Sequence, residues 1–143
     1  MSNYLCTYFY EDATDEGAEY GNIFSSLQER NETYWKTVFT FYFSCIIFNR
    51  NHNVKYLLFT NAENFSYKTD LEKMGVEIIT GVPLNNRHYK KWATVKFIFD
   101  VFDYINKSEN FIDIDKFIFL DTDVLCSTTA INIFSDLENS LKL

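Results

Sequence analysis

The stretch that most constrains the fold is residues 54–60, VKYLLFT, a nearly unbroken apolar run of strand length that begins directly after Asn51-His52-Asn53. A strand with one wet face alternates apolar and polar residues, whereas a run apolar at almost every position suits a central strand of a parallel sheet, covered on both faces. Parallel neighbours need crossover helices, and the flanking sequence supplies them. Upstream, residues 4–10 (YLCTYFY) are short, aromatic and partly β-branched, and they stop at Glu11, Asp12, Asp15, Glu16, Gly17 and Glu19, which reads as a strand followed by an acidic loop. From Thr33 or Tyr34 to about Arg50, the residues Val38, Phe41, Tyr42, Cys45 and Phe48 recur at helical spacing, with Asn31 or Thr33 as the expected cap.

The unit then repeats. Thr69 and Glu72 have capping-box spacing, Gly75 suits a left-handed helix stop, and residues 76–80 (VEIIT) form the next strand. Gly81-Val82-Pro83 breaks the chain into a loop. Residues 92–105 carry Val95, Phe99 and Phe102 on one stripe and Ile98, Val101 and Ile105 on a neighbouring one, which predicts another helix. Residues 116–120 (KFIFL) form a fourth strand. This alternation predicts one α/β domain over residues 1–143, with right-handed crossovers and a mostly parallel sheet of about four strands covered by helices on both faces.

Composition narrows the partners. A hydrophobic content of 47%, with 19% aromatics, is enough for a sizeable core in 143 residues. The formal net charge of -7 opposes binding to nucleic acid or to an anionic membrane surface. The most apolar run, residues 38–48, is shorter than the roughly 20 residues of a membrane span, so a buried helix is expected there and no membrane span. The first residues lack the basic region and cleavage site of a signal peptide, which implies a cytoplasmic protein. Cys6, Cys45 and Cys126 are far apart in sequence and set in apolar stretches, so they read as core residues and not as a disulfide framework or zinc site. Trp35, Phe39, Phe43 and Ile47 form a second apolar stripe on the first helix, and a surface left uncovered there predicts self-association.

Chemistry is expected just after the fourth strand, because open α/β sheets collect ligands beyond the carboxyl ends of their strands. Asp121-Thr122-Asp123 stands there. Two carboxylates in an Asp-x-Asp repel one another, and a hard divalent cation, Mg²⁺ or Mn²⁺, relieves that repulsion with oxygen ligands. Such an ion can bridge protein carboxylate to phosphate oxygens. Arg87, His88, Lys90 and Lys91 make the segment before the third helix basic within an acidic chain, as an anionic ligand requires. Neither His52 nor His88 has metal-ligand spacing.

The block FLDTDVL, with the strand FIFL running into DTD and then VLC, resembles the signature of glycosyltransferases with the GT-A fold, and most closely the glycogenin and bacterial galactosyltransferase-type family. Residues 54–61, 71–80, 92–123 and 131–137 are similar to successive segments of that family, and the resemblance as a whole extends over about two thirds of the chain at low identity. The resemblance implies a Rossmann-like half-domain with strand order 3-2-1-4 that binds a nucleotide-diphospho-sugar, a UDP-sugar above all, and passes the sugar to an acceptor. It implies that Asp121 and Asp123 hold Mn²⁺ or Mg²⁺, with Asp121 and Thr122 also near the donor. It further implies that Lys96, with Arg87 nine positions before it, meets the donor's sugar or phosphates, and that Thr7, Tyr8 and Phe9 cradle base and ribose. Asp100 and Asp103 are the family-implied partners of the sugar hydroxyls, while Asp100 also stands i, i+4 from Lys96, where a helix ion pair forms. Such enzymes continue into a second half with the acceptor pocket, so a chain stopping about twenty residues past the motif is expected to lack complete activity.

Two other readings use the same residues. Phosphatases of the haloacid dehalogenase type also place Asp-x-Asp at a strand end, but their motif opens the protein and continues with Gly-Thr or a similar turn. Here three strands precede and Val124-Leu125 follow. The non-enzymatic alternative is a nucleotide-sugar-binding module with a regulatory or interaction role.

Overall fold

The computed structural model describes residues 2–11, 26–49, 53–84, 93–111, 114–127 and 134–135. In chain order the elements are β1 (Ser2–Phe9), α1 (Leu27–Phe48), β2 (Val54–Thr60), α2 (Lys68–Lys73), β3 (Val76–Ile79), α3 (Ala93–Lys107), a short 3-10 turn (Glu109–Phe111) and β4 (Ile114–Phe119). All neighbouring strands are parallel and the order is β3-β2-β1-β4, as expected. The run that predicted a central strand is one. Residues 56–60 of β2 are all buried, with Leu58 facing one layer of helices and Leu57 and Phe59 the other.

Two cores flank the sheet. On one face α1 and α2 close over Leu5, Phe9, Tyr56, Leu58 and Val76 through Trp35, Val38, Phe41, Tyr42, Cys45 and Leu71. On the other, Phe97 and Val101 of α3 cover Cys6, Leu57 and Phe59. The chain steps from β1 to β2 to β3 in one direction and then returns past β1 to β4. Right-handed crossovers put the helices of those opposite steps on opposite faces, which is the arrangement found.

Helix α1 begins at Leu27, well before the Thr33 or Tyr34 expected from apolar spacing. Ser26 is its cap, with extended backbone and a hydroxyl oxygen accepting from the Glu29 amide at 3.1 Å. Thr33 is no cap, because its hydroxyl donates to the Glu29 carbonyl inside the helix. The Thr69–Glu72 capping box is also replaced. Helix α2 starts at Lys68 behind Tyr67, which adopts φ 68° without a side-chain cap bond. That left-handed backbone is costly for a tyrosine, and packing of its ring on Phe39, with centroids 5.1 Å apart, offsets the cost. Gly75, at φ 88°, stops α2 as expected.

Tyr42 fastens α1 to the sheet. Its buried hydroxyl accepts the Thr7 amide of β1 at 3.2 Å and donates to the Leu57 carbonyl of β2. Burial first of all raises this phenol well above its ordinary pKa, so the O–H needed for the second bond is retained.

Surface hydrophobics differ from the expected stripe. Trp35 is buried and Phe39 and Ile47 are partly so, leaving Phe43 exposed on α1. The more continuous apolar surface is on α3, where Val95, Phe99 and Phe102 are 49%, 52% and 44% exposed. Among the described residues no helix is long and apolar enough to cross a membrane.

Candidate functional site

The strand order reverses direction at β1, so the crevice of this sheet opens between the carboxyl ends of β1 and β4. Cys6 pairs in register with Phe119, and the Leu120 amide donates to the Cys6 carbonyl at 3.0 Å, carrying the pairing one residue past β4. Asp121, Thr122 and Asp123 therefore leave the sheet beside Tyr8. The Val124 amide donates to the Asp121 carbonyl at 3.2 Å and the Thr122 amide to Asp121 Oδ1 at 2.9 Å, closing a tight turn. Both Asp121 and Asp123 are exposed on this turn, and Thr122 is half-buried.

Alternation along β1 divides the three residues expected at the base. Thr7 and Phe9 turn toward the α1 layer and are buried, Phe9 in contact with Tyr34 and Trp35 at centroid separations of 5.5 and 4.7 Å. Tyr8 faces the α3 layer, is half-buried, and packs on Phe97 at 6.4 Å. Burial and, second, the nearby Asp121 carboxylate raise its phenol above the ordinary range.

The same Phe97 also meets Tyr10 at 5.5 Å, so the first turn of α3 lies against the end of β1. Lys96, its chain neighbour, is half-buried there. Asp100 follows one turn deeper and is buried, and Asp103 is half-buried. Arg87, with the basic residues around it, lies outside the described residues. Thus Tyr8, Asp121, Thr122 and Asp123 come together at the crevice with the start of α3 beside them, while Thr7 and Phe9 support it from beneath.

A cleft lies at the ends of β1 and β2. This cleft of about 480 Å³ is lined by Glu11, Gln28, Glu32, Trp35, Asn64 and Phe65 among others, and among the described residues no cation is on its wall. Its rim is held by a reciprocal pair in which the Glu11 amide donates to Asn61 Oδ1 at 2.7 Å and Asn61 Nδ2 to the Glu11 carbonyl at 2.9 Å. Trp35 Nε1 donates to the Glu11 carboxylate while its ring stacks on Phe65 at 3.8 Å. Glu11, at the start of the expected acidic loop, is thus tied to Asn61, a partner that nothing local in the sequence signals. The carboxylates of Glu11 and Glu32 in this cleft, like those of Asp121 and Asp123 on the turn, would repel a diphosphate unless a cation lay between them and it.

Among the described residues no group of three or more His, Cys, Asp or Glu is placed to hold a metal ion. Two exposed carboxylates on one turn suit instead a cation whose remaining ligands come from water and a bound phosphate, the usual habit of Mg²⁺. Comparison of the chain with protein-family models, curated proteins and solved structures finds no match.

Proposed function

We propose that this chain is a glycosyltransferase domain of the GT-A type that binds a nucleotide-diphospho-sugar, a UDP-sugar above all, at the β1/β4 crevice and passes its sugar to an acceptor. The observation that carries the reading is the exposed Asp121–Asp123 turn beside Tyr8, at the reversal point of a parallel sheet ordered β3-β2-β1-β4.

The residues divide the work by their chemistry. Asp121 and Asp123 would hold Mn²⁺ or Mg²⁺, and a bound ion would neutralise the diphosphate as it departs from the sugar. Tyr8 offers an aromatic surface beside them for the base or ribose. Lys96, in the first turn of α3, supplies positive charge near the diphosphate, and the partial positive charge of the helix N-terminus adds to it. Asp103, half-buried further along the same helix, would meet sugar hydroxyls, whereas the buried Asp100 has no surface to offer them.

Calorimetric titration of the parent chain and of Lys96→Ala with a UDP-sugar and with uridine tests the division. The variant should lose at least tenfold in affinity for the diphosphate donor and little for the nucleoside. Equal losses for both would remove Lys96 from the site.

A further inference from the structure

We propose that Cys45 and Cys126 are a redox modification site, joined as a disulfide when the chain meets a low-molecular-weight disulfide, and that this bond ties the segment after the Asp121–Asp123 turn to α1. The two sulfurs lie 3.4 Å apart across 81 positions of sequence. A disulfide bond of about 2.05 Å needs them to close by little more than one ångström. Cys126 is also the anchor of its segment. Its amide donates to Ser44 Oγ at 3.2 Å and its sulfur faces Asn49 Nδ2 at 3.9 Å, whereas Val124 and Leu125 before it are exposed.

The exchange has a defined order. Cys126 is half-buried and Cys45 fully buried, so Cys126 meets the reagent. Its thiolate attacks one sulfur of the small disulfide, breaking that bond and releasing one thiolate. Cys45 then loses its proton and attacks Cys126 Sγ, and the second small thiolate leaves. The two protein thiols are oxidised, the small disulfide is reduced to two thiols, and those thiols take up the two protons. Burial pushes the Cys45 thiol up, so the second step is the slower. Cys6 is buried in the core on the opposite face of the sheet and stays out of the reaction.

The test is made on the whole chain, purified reduced and equilibrated with oxidised and reduced glutathione at graded ratios, then digested without reduction and mapped by mass spectrometry. The expected product is a Cys45–Cys126 linked peptide, absent from Cys126→Ser and retained in Cys6→Ser. Because the bond closes so long a loop, the melting temperature of the oxidised parent should rise by roughly 10 °C. A folded chain that keeps Cys45 and Cys126 reduced, a stable glutathione adduct on Cys126, or a link through Cys6 would each overturn the proposal. The readout needs no nucleotide sugar, so it stands apart from any failure of the glycosyltransferase reading.

Discussion

Cys45 Sγ of α1 sits 3.4 Å from Cys126 Sγ, three residues beyond Asp123, so the long first helix is in direct contact with the segment that follows the candidate metal turn. The same helix reaches the other side of the crevice through Tyr42, which bonds both β1 and β2. Helix α1 is thus the common support of the strand that carries Tyr8 and the segment after Asp123.

Tyr42→Phe tests that support. The change keeps the ring but leaves the Leu57 carbonyl and the Thr7 amide without the hydroxyl between them, in a site closed to water. Stability should fall by about 1–3 kcal/mol. Urea denaturation monitored by circular dichroism measures it, and an unchanged midpoint would show that the hydroxyl is energetically idle.

Several buried groups are poised to release protons only when the fold opens. Cys6, Cys45, Tyr42 and Tyr56 all have raised pKa values, chiefly through burial, Tyr56 reaching about 12. A raised folded pKa contributes stability that is intact below the unfolded value and lost as pH climbs toward the folded one. Stability should therefore begin to fall above about pH 8.5, where unfolded cysteines ionise, and fall more steeply above about pH 10 with the tyrosines. Denaturation midpoints across pH 7 to 11 check it, and a flat profile would contradict the burial of these groups.

The exposed stripe on α3 predicts association. Phe99, at 52% exposure between Val95 and Phe102, is its centre. Sedimentation should show a mass that grows with concentration in the parent chain and much less so in Phe99→Glu. Identical monomeric behaviour of both would leave the stripe without consequence.

What could be read from sequence follows from how local each signal is. Strand β2 was legible residue for residue because burial on both faces leaves an apolar run that few other structures produce. The start of α1 was missed because Ser26 and Glu29, a capping pair, precede the first apolar repeat. The cap of α2 was misread because Tyr67 is positioned by its ring packing, which outweighs its backbone preference. In the site, Asp121 and Asp123 were placed by their position after a strand. The period of two along β1 already separates Thr7 and Phe9 from Tyr8, although it does not tell which side faces the crevice. The Cys45–Cys126 and Glu11–Asn61 contacts join residues distant in sequence and carry no local signal.

The most direct measurement compares donor binding in the parent chain and in Asp123→Asn, with Mn²⁺ and with chelator. The substitution keeps the shape of an exposed turn whose backbone bonds involve Asp121, Thr122 and Val124, so the fold should be unaffected. Calorimetry should find that the parent binds a UDP-sugar measurably only with the metal, and that Asp123→Asn loses on the order of tenfold or more in metal-linked affinity, about 1.4 kcal/mol. Equal affinity in Mn²⁺ and in chelator, or a metal effect unchanged in Asp123→Asn, would contradict the assignment of this turn as the metal site.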